Sequence, residues 1–91
     1  MTVTVRVPTQ LRELTGGAAE VAAAAPDVRG VIEDLDARYP GIRGRIVDDG
    51  GEVRRFVNLY VGDDDVRFLD GLATPVPPGA TISIIPAVAG G

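Results

Sequence analysis

The sequence contains no cysteine and no histidine among its 91 residues. Without cysteine it can form no disulfide, hold no thiolate-bound metal and offer no cysteine nucleophile. Without histidine it lacks the side chain that most often acts as a base or a metal ligand near neutral pH. Hydrolase sites that pair a serine or a cysteine with histidine are therefore excluded.

Lysine is also absent, so all nine basic residues are arginines, and thirteen acidic residues give a net charge of −4. A nucleic-acid site needs a basic stripe, and because these arginines are scattered we expect no nucleic-acid partner. No apolar run approaches the roughly 20 residues of a membrane helix, and no signal-peptide pattern is present. We therefore expect a cytoplasmic protein with no membrane contact.

What is present fits one globular domain. Apolar residues make up 45% and charged residues 24% of the chain, which are ordinary values for folded proteins, and this length suits a single core. Three adjacent acids, Asp63, Asp64 and Asp65, point in different directions along a turn. We interpret them as solvated and expect no metal site.

The first half of the chain predicts two strands and one helix. Alternating valines predict a strand over 2–7, which is followed by a loop over 11–19 and a weak strand over 20–24. Apolar residues spaced by three and four positions then predict an amphipathic helix, which Asp27 caps and Pro40 ends. The predicted buried face of this helix consists of Val28, Val31, Ile32, Leu35 and Tyr39.

The second half of the chain predicts three further strands. After an irregular segment over 42–52, strands are expected over 55–61, 65–68 and 81–85, with a turn-rich connection over 69–79. We expect an α+β roll, in which one main helix lies across a mixed sheet of four or five strands. The first and last strands should lie side by side in its centre.

The last strand is followed by Ala-Val-Ala-Gly-Gly, with no charge or turn signal. This ending, in "GLATPVPPGATISIIPAVAGG", together with "RRFVNLYVGDDDVRFLDG" and "LREL", resembles the MoaD/ThiS group of ubiquitin-like sulfur carriers. It is most similar to the CysO-type carriers of cysteine biosynthesis. The resemblance covers nearly the whole chain and implies a β-grasp domain over 1–86 with a flexible C-terminal Gly-Gly tail over 87–91.

The resemblance implies that the chemistry takes place at the carboxylate of Gly91. An adenylating enzyme of the MoeB/ThiF type activates this carboxylate with ATP, and a sulfide donor replaces AMP to leave a thiocarboxylate. The chain itself binds no cofactor and is not an enzyme, because its reactive sulfur is installed by others. Gly90, Ala89, Val88 and Ala87 thread a narrow channel of the partner, which suits glycine because it has no Cβ.

A docking patch is the second expected site. Alternation places Phe56, Tyr60 and Ile85 on the sheet face opposite the helix, near the tail. Exposed apolar groups often form interfaces, and the resemblance implies docking through the sheet face and tail, with Ile85 the best candidate. The rim of the patch holds three arginines that we interpret as solvated: Arg54, Arg55 and Arg67.

The sequence leaves the final sulfur acceptor open. Similarity to the CysO type implies an activated serine on a PLP-dependent cysteine synthase, with a metalloprotease that releases cysteine. The alternatives are the small subunit of molybdopterin synthase and a carrier shared with thiosugar biosynthesis. A ubiquitin-like protein modifier and a plain binding module also remain open, although a chain without lysine cannot form lysine-linked chains with itself.

Gly91→Ala, or deletion of Gly91, should abolish activation of the tail and leave the fold intact, because only the end that enters the partner is altered. Activation is measured as thiocarboxylate formation with the adenylating enzyme, ATP and sulfide, and folding by circular dichroism. An unchanged activation rate in either variant would contradict the assignment of the tail.

Overall fold

The structure is a computed structural model that describes residues 2–86. The strands are β1 (Val3–Arg6), β2 (Glu20–Ala23), β3 (Val57–Val61), β4 (Asp64–Asp65) and β5 (Thr81–Pro86). The helices are α1 (Val28–Arg38) and α2 (Ile42–Ile46), and short 3-10 helices cover Thr9–Thr15, Val66–Phe68 and Gly71–Ala73. Within residues 2–86, no helix is long and apolar enough to cross a membrane.

The five strands form one mixed sheet in the order β2-β1-β5-β3-β4. β1 runs parallel to β5, with Val5 opposite Ile82, and the other neighbouring strands are antiparallel. The prediction that the first and last strands lie side by side in the centre is confirmed. Because β5 has β1 on one side and β3 on the other, the last strand within residues 2–86 is an inner strand of the sheet.

Alternation along the strands decides which face of the sheet is buried. Val5, Leu59 and Ile82 point into the core and are at most 2% exposed, whereas their strand neighbours face outward. The predicted apolar face of α1 covers these side chains, and its buried members are Val28, Val31, Ile32 and Leu35. Each such buried side chain stabilises the fold by about 1.5–3 kcal/mol.

The start of α1 is held by its cap and by the segment that precedes β5. The Asp27 carboxylate accepts a hydrogen bond from the Gly30 N–H at 2.8 Å, so the predicted N-cap is confirmed. In addition, the Val28 N–H donates to the Thr74 carbonyl at 3.1 Å. These contacts fix where the helix begins relative to the sheet.

Two short helices lie where the sequence predicted loops. Residues 42–52 contain α2, whose Ile42 and Ile46 are one turn apart and fully buried. The predicted loop over 11–19 overlaps the 3-10 helix Thr9–Thr15. Both helices are too short to show a helical period in the sequence, so tertiary burial rather than periodicity reveals them.

The predicted strand over 65–68 is wrong for most of its length. Only Asp64–Asp65 pair with β3, and Val66–Phe68 is a 3-10 helix. The Asp65 carboxylate caps this helix by accepting a hydrogen bond from the Arg67 N–H at 2.8 Å. The cap turns the chain out of the ladder, a choice that Asp commonly offers to the backbone.

β3 also begins later than predicted, at Val57 rather than at residue 55. The Val57 N–H donates to the Arg54 carbonyl at 3.0 Å, which closes a turn immediately before the strand. Phe56 therefore lies in this turn and not in the strand, so alternation does not decide which way its side chain points.

Gly30→Ala should destabilise the fold, whereas Gly44→Ala should stabilise it. A Cβ on Gly30 would lie 2.8 Å from the Cβ of Ala25 and 3.1 Å from a carboxylate oxygen of Asp27, but nothing lies within 4 Å of one on Gly44. We expect a loss of about 1–3 kcal/mol from overpacking at Gly30. At Gly44 we expect a gain of up to about 1 kcal/mol from helix propensity.

Chemical denaturation of the two variants beside the parent chain measures both changes in the free energy of unfolding. Equal stabilisation by the two substitutions would show that the contact between Gly30 and the chain before α1 is not tight.

Candidate functional site

The site is built around the end of β5, where the described chain stops. Pro86 lies opposite Val57 and Ile85 lies opposite Asn58 in the ladder between β5 and β3. β3 therefore fixes the direction of β5 up to its last residue. The predicted tail residues, 87–91, lie outside the described residues, so their roles stay predictions.

Arg67 ties the start of β3 to the 3-10 helix beside it. Its guanidinium donates to the Asn58 Oδ1 at 2.6 Å and to the carbonyls of Arg54 and Val57, both at 2.7 Å. Arg67 is exposed, as a solvated arginine would be, but these three hydrogen bonds give it a structural role that the sequence analysis did not predict. The reason is the 3-10 helix, which the sequence did not reveal and which places Arg67 beside β3.

Arg54 and Arg55, the other two rim arginines, differ from each other. Arg54 is exposed, as expected of a solvated arginine, but its side chain also donates to the Gly44 carbonyl at 2.7 Å and thus joins α2 to the turn before β3. The guanidinium carbon of Arg55 lies 5.7 Å from the centroid of the Phe56 ring. That distance is within the range of a cation–π contact.

The structure places the three predicted docking residues in different settings. Ile85 is 47% exposed and Phe56 is 54% exposed, whereas Tyr60 is half-buried. Tyr60 shares the open sheet face with Ile85, but its neighbours in register are polar, Ser83 on β5 and Asp65 on β4. The three residues thus do not form one continuous apolar patch across the open face.

Two further exposed apolar residues were missed by the sequence analysis. Phe68, at the end of the 3-10 helix, is 87% exposed, and Leu69 is 47% exposed. Phe68 was missed because it was assigned to the predicted strand over 65–68, and Leu69 because it was assigned to the connection over 69–79. Two adjacent apolar residues in "VRFLDG" are nevertheless a signal of the kind that marks an interface. The exposed large apolar side chains within residues 2–86 are Phe56, Phe68, Leu69 and Ile85.

A groove lies beside the 3-10 helix Val66–Phe68, and Val66 and Arg67 belong to its lining. It has a volume of about 460 Å³, and Arg29, Glu52, Arg67 and Asp70 contribute its charges. Charges of both signs make it unselective for either an anion or a cation. Within residues 2–86 no group of three or more carboxylates is arranged to hold a metal ion.

Comparison with known proteins assigns the chain and its fold to a family. Residues 5–91 match the ThiS family. The chain is 50% identical over 93 aligned residues to the sulfur carrier protein CysO of Mycobacterium tuberculosis, and the alignment covers 100% of both proteins. The chain therefore belongs to the ThiS/MoaD family of ubiquitin-like sulfur carriers and has their β-grasp fold.

Two further relatives show what else the chain is similar to. A chain in the crystal structure of the Amycolatopsis orientalis BexX/CysO complex is 47% identical, with a TM-score of 0.92, and the match covers 98% of this chain and 99% of that one. Small archaeal modifier protein 3 of Haloferax volcanii is 43% identical over 61 residues, which are 67% of this chain and 65% of that protein.

Arg67→Met should destabilise the fold by about 1–3 kcal/mol, because three acceptors lose a charged donor. Water that hydrogen-bonds to the freed acceptors offsets only part of this loss. Arg55→Met, the matched control, should change the free energy of unfolding by less than about 0.5 kcal/mol. Hydrogen exchange at Val57 to Leu59 should speed up in the Arg67 variant only. Equal exchange in the two variants would show that Arg67 does not hold the start of β3.

Proposed function

We propose that this chain carries sulfur as a thiocarboxylate on Gly91 and delivers it for the synthesis of cysteine from an activated serine. Its small size, its place in a family of sulfur carriers and its 50% identity to a CysO protein support the proposal. On this proposal the chain is a co-substrate, and the enzymes that act on it perform the catalysis.

The observation that carries the proposal is the position of the end of β5. β5 is an inner strand and stays paired with β3 through Pro86. Five residues follow Pro86 in the sequence, and at roughly 3.3–3.6 Å per residue they span about 17 Å when extended. The proposed reactive carboxylate thus extends from a rigid base into the site of another protein.

Charging takes two steps that balance without any redox partner. The Gly91 carboxylate attacks the α-phosphorus of ATP, pyrophosphate leaves, and an acyl-adenylate forms. Hydrosulfide then attacks the acyl carbon, AMP leaves with the former carboxylate oxygen, and one proton is released. The carrier ends as a thiocarboxylate, and the adenylating enzyme, of the MoeB/ThiF type, supplies the site at which both steps occur.

The installed sulfur explains how a chain without cysteine or histidine can donate sulfur. A thiocarboxylic acid is a much stronger acid than a thiol, so its sulfur is ionised near neutral pH without a base. The ionised form is the nucleophile, as it is for cysteine. The proposed acceptor is an activated serine such as O-phosphoserine, whose phosphate the sulfur displaces.

The proposed downstream partners follow from the same chemistry. A PLP-dependent cysteine synthase holds the activated serine, and a metalloprotease hydrolyses the resulting protein–cysteine adduct to free cysteine and restore the Gly91 carboxylate. The complex with BexX described for the Amycolatopsis relative supports direct binding between such a carrier and a partner. Because the proposed charging step consumes ATP, we expect the cycle to take place in the cytoplasm.

A protein modifier is the second candidate, and the similarity to small archaeal modifier protein 3 favours it. A modifier uses the same adenylate but passes the acyl group to a lysine of a target protein. The two candidates differ in the mass of the product that remains after treatment with a reducing agent. Conjugates joined by an isopeptide bond survive a thiol reductant and gain the mass of a whole protein, whereas a thiocarboxylate adds only one sulfur in place of one oxygen.

One extra alanine after Gly91 should abolish charging, because the carboxylate is then displaced from the position at which ATP is attacked. The unmodified chain and a chain with an extra alanine before Met1 serve as controls, and both should be charged at equal rates. Release of pyrophosphate with the adenylating enzyme and ATP measures the first step. Normal charging of the extended chain would contradict the requirement for a carboxylate at Gly91, whereas no charging of the unmodified chain or either extended chain would favour a binding module without tail chemistry.

A further inference from the structure

Phe68 stands out because it is exposed but firmly held. Its side chain is 87% exposed, the largest value among the exposed large apolar residues within the part of the chain that the structure describes. Val66, two positions earlier, is fully buried. One face of the 3-10 helix is thus anchored in the core, and the next apolar side chains, Phe68 and Leu69, remain in solvent.

Hydrogen bonds fix the turn that carries these two side chains. The Asp65 carboxylate caps its first turn, and the Leu69 N–H donates to the Val66 carbonyl at 3.0 Å. The Arg67 guanidinium binds three acceptors at the start of β3. A side chain on such a preorganised turn loses little conformational entropy when a partner binds it, which is a property of interface hot spots.

The same hydrogen bonds place the turn at the end of the sheet where β5 stops. Arg67 contacts the carbonyl of Val57, and Val57 is the residue opposite Pro86. β3 thus has Pro86 on one side and the turn with Phe68 on the other. Because β4 runs antiparallel to β3, the chain after Asp65 follows β3 towards Val57. Phe68 therefore lies near the end of β3 that pairs with Pro86, on the β4 side of that strand.

The reach of the last five residues determines what can contact this turn. Extended, they span about 17 Å, which is less than the smallest dimension of the protein, 24 Å. An enzyme that holds Gly91 in its active site must therefore bring its surface close to the end of the sheet around Pro86. The turn with Phe68 and Leu69 is part of that end.

We propose that Phe68 and Leu69 form a docking contact for the adenylating enzyme, separate from the open sheet face around Tyr60. This inference rests on the proposed function, because it assumes that the tail enters such an enzyme. We assign the contact to the adenylating enzyme because every pathway considered for this carrier requires that step. Its surface is expected to offer an apolar recess for the Phe68 ring.

The test measures steady-state charging of the full chain by the adenylating enzyme with ATP, with the carrier as the varied substrate. Phe68→Ala should raise the KM for the carrier about tenfold, with kcat within about twofold, because the reacting carboxylate is unaltered. Phe68→Tyr keeps the aromatic ring, so its KM for the carrier should equal that of the parent chain. Pro78→Ala, which alters an exposed apolar side chain near the opposite end of the sheet, is the matched control and should behave as the parent chain.

The double variant of Arg67→Met and Phe68→Ala distinguishes an effect on docking from an effect on the stability of the fold. Arg67→Met should raise the KM in the parent chain through loss of the fixed turn, but should add little in the Phe68→Ala background, because residues that act as a unit are not additive. Circular dichroism and chemical denaturation of every variant establish that each is folded under the assay conditions. Fully additive effects would contradict a role of Arg67 in positioning Phe68.

The possible outcomes distinguish failure of the docking contact from failure of the proposed function. If the parent chain is charged and Phe68→Ala has the same KM, the docking contact is wrong and the proposed function stands. The assignment to this enzyme is also overturned if Phe68→Ala charges normally but weakens binding to the sulfur acceptor or shifts a dimer to monomer in light scattering. If the parent chain is never charged, the proposed function fails and the docking contact fails with it.

Discussion

The parallel pairing of β1 with β5 joins the two ends of the domain in the middle of one sheet. Val5 and Ile82 are opposite one another in this pair and both are buried under α1. Because a parallel pair needs a long crossover between its strands, the helices and the other strands all belong to the connection from β1 to β5. The last strand is consequently an inner strand that cannot leave the sheet without breaking two ladders.

On the proposed function, this arrangement provides a rigid base for the reactive end of the chain. The hydrogen bonds of β3 continue along β5 to Pro86, and Arg67 fixes β3 from its other side. The base contributes position, and the proposed thiocarboxylate contributes reactivity that none of the encoded side chains has.

Much of the fold could be predicted because its long elements follow simple periods. Alternation identified β1, and spacing of three and four residues identified α1 together with its Asp27 cap. The 3-10 helix at Val66–Phe68 could not be predicted in this way, because a side-chain cap and the bonds of Arg67 outweigh the alternation of "DVRF". α2 was missed for a similar reason, since its two isoleucines make only a single turn.

The candidate site could likewise be predicted only in part from the sequence. Ile85 could be placed at an exposed position because it belongs to a regular strand, whereas Phe68 could not, because its exposure depends on a turn fixed by distant residues. The proposed role of Gly91 rests on the resemblance to a family and not on any packing rule. The comparisons show that the chain belongs to that family.

The most direct test of the account is the intact mass of the purified chain after incubation with the adenylating enzyme, ATP and sulfide. The account predicts a rise that matches the exchange of one oxygen for one sulfur, that maps to Gly91 and that an alkylating reagent caps. A chain whose mass stays unchanged with all three components present, or which gains sulfur elsewhere, would contradict it.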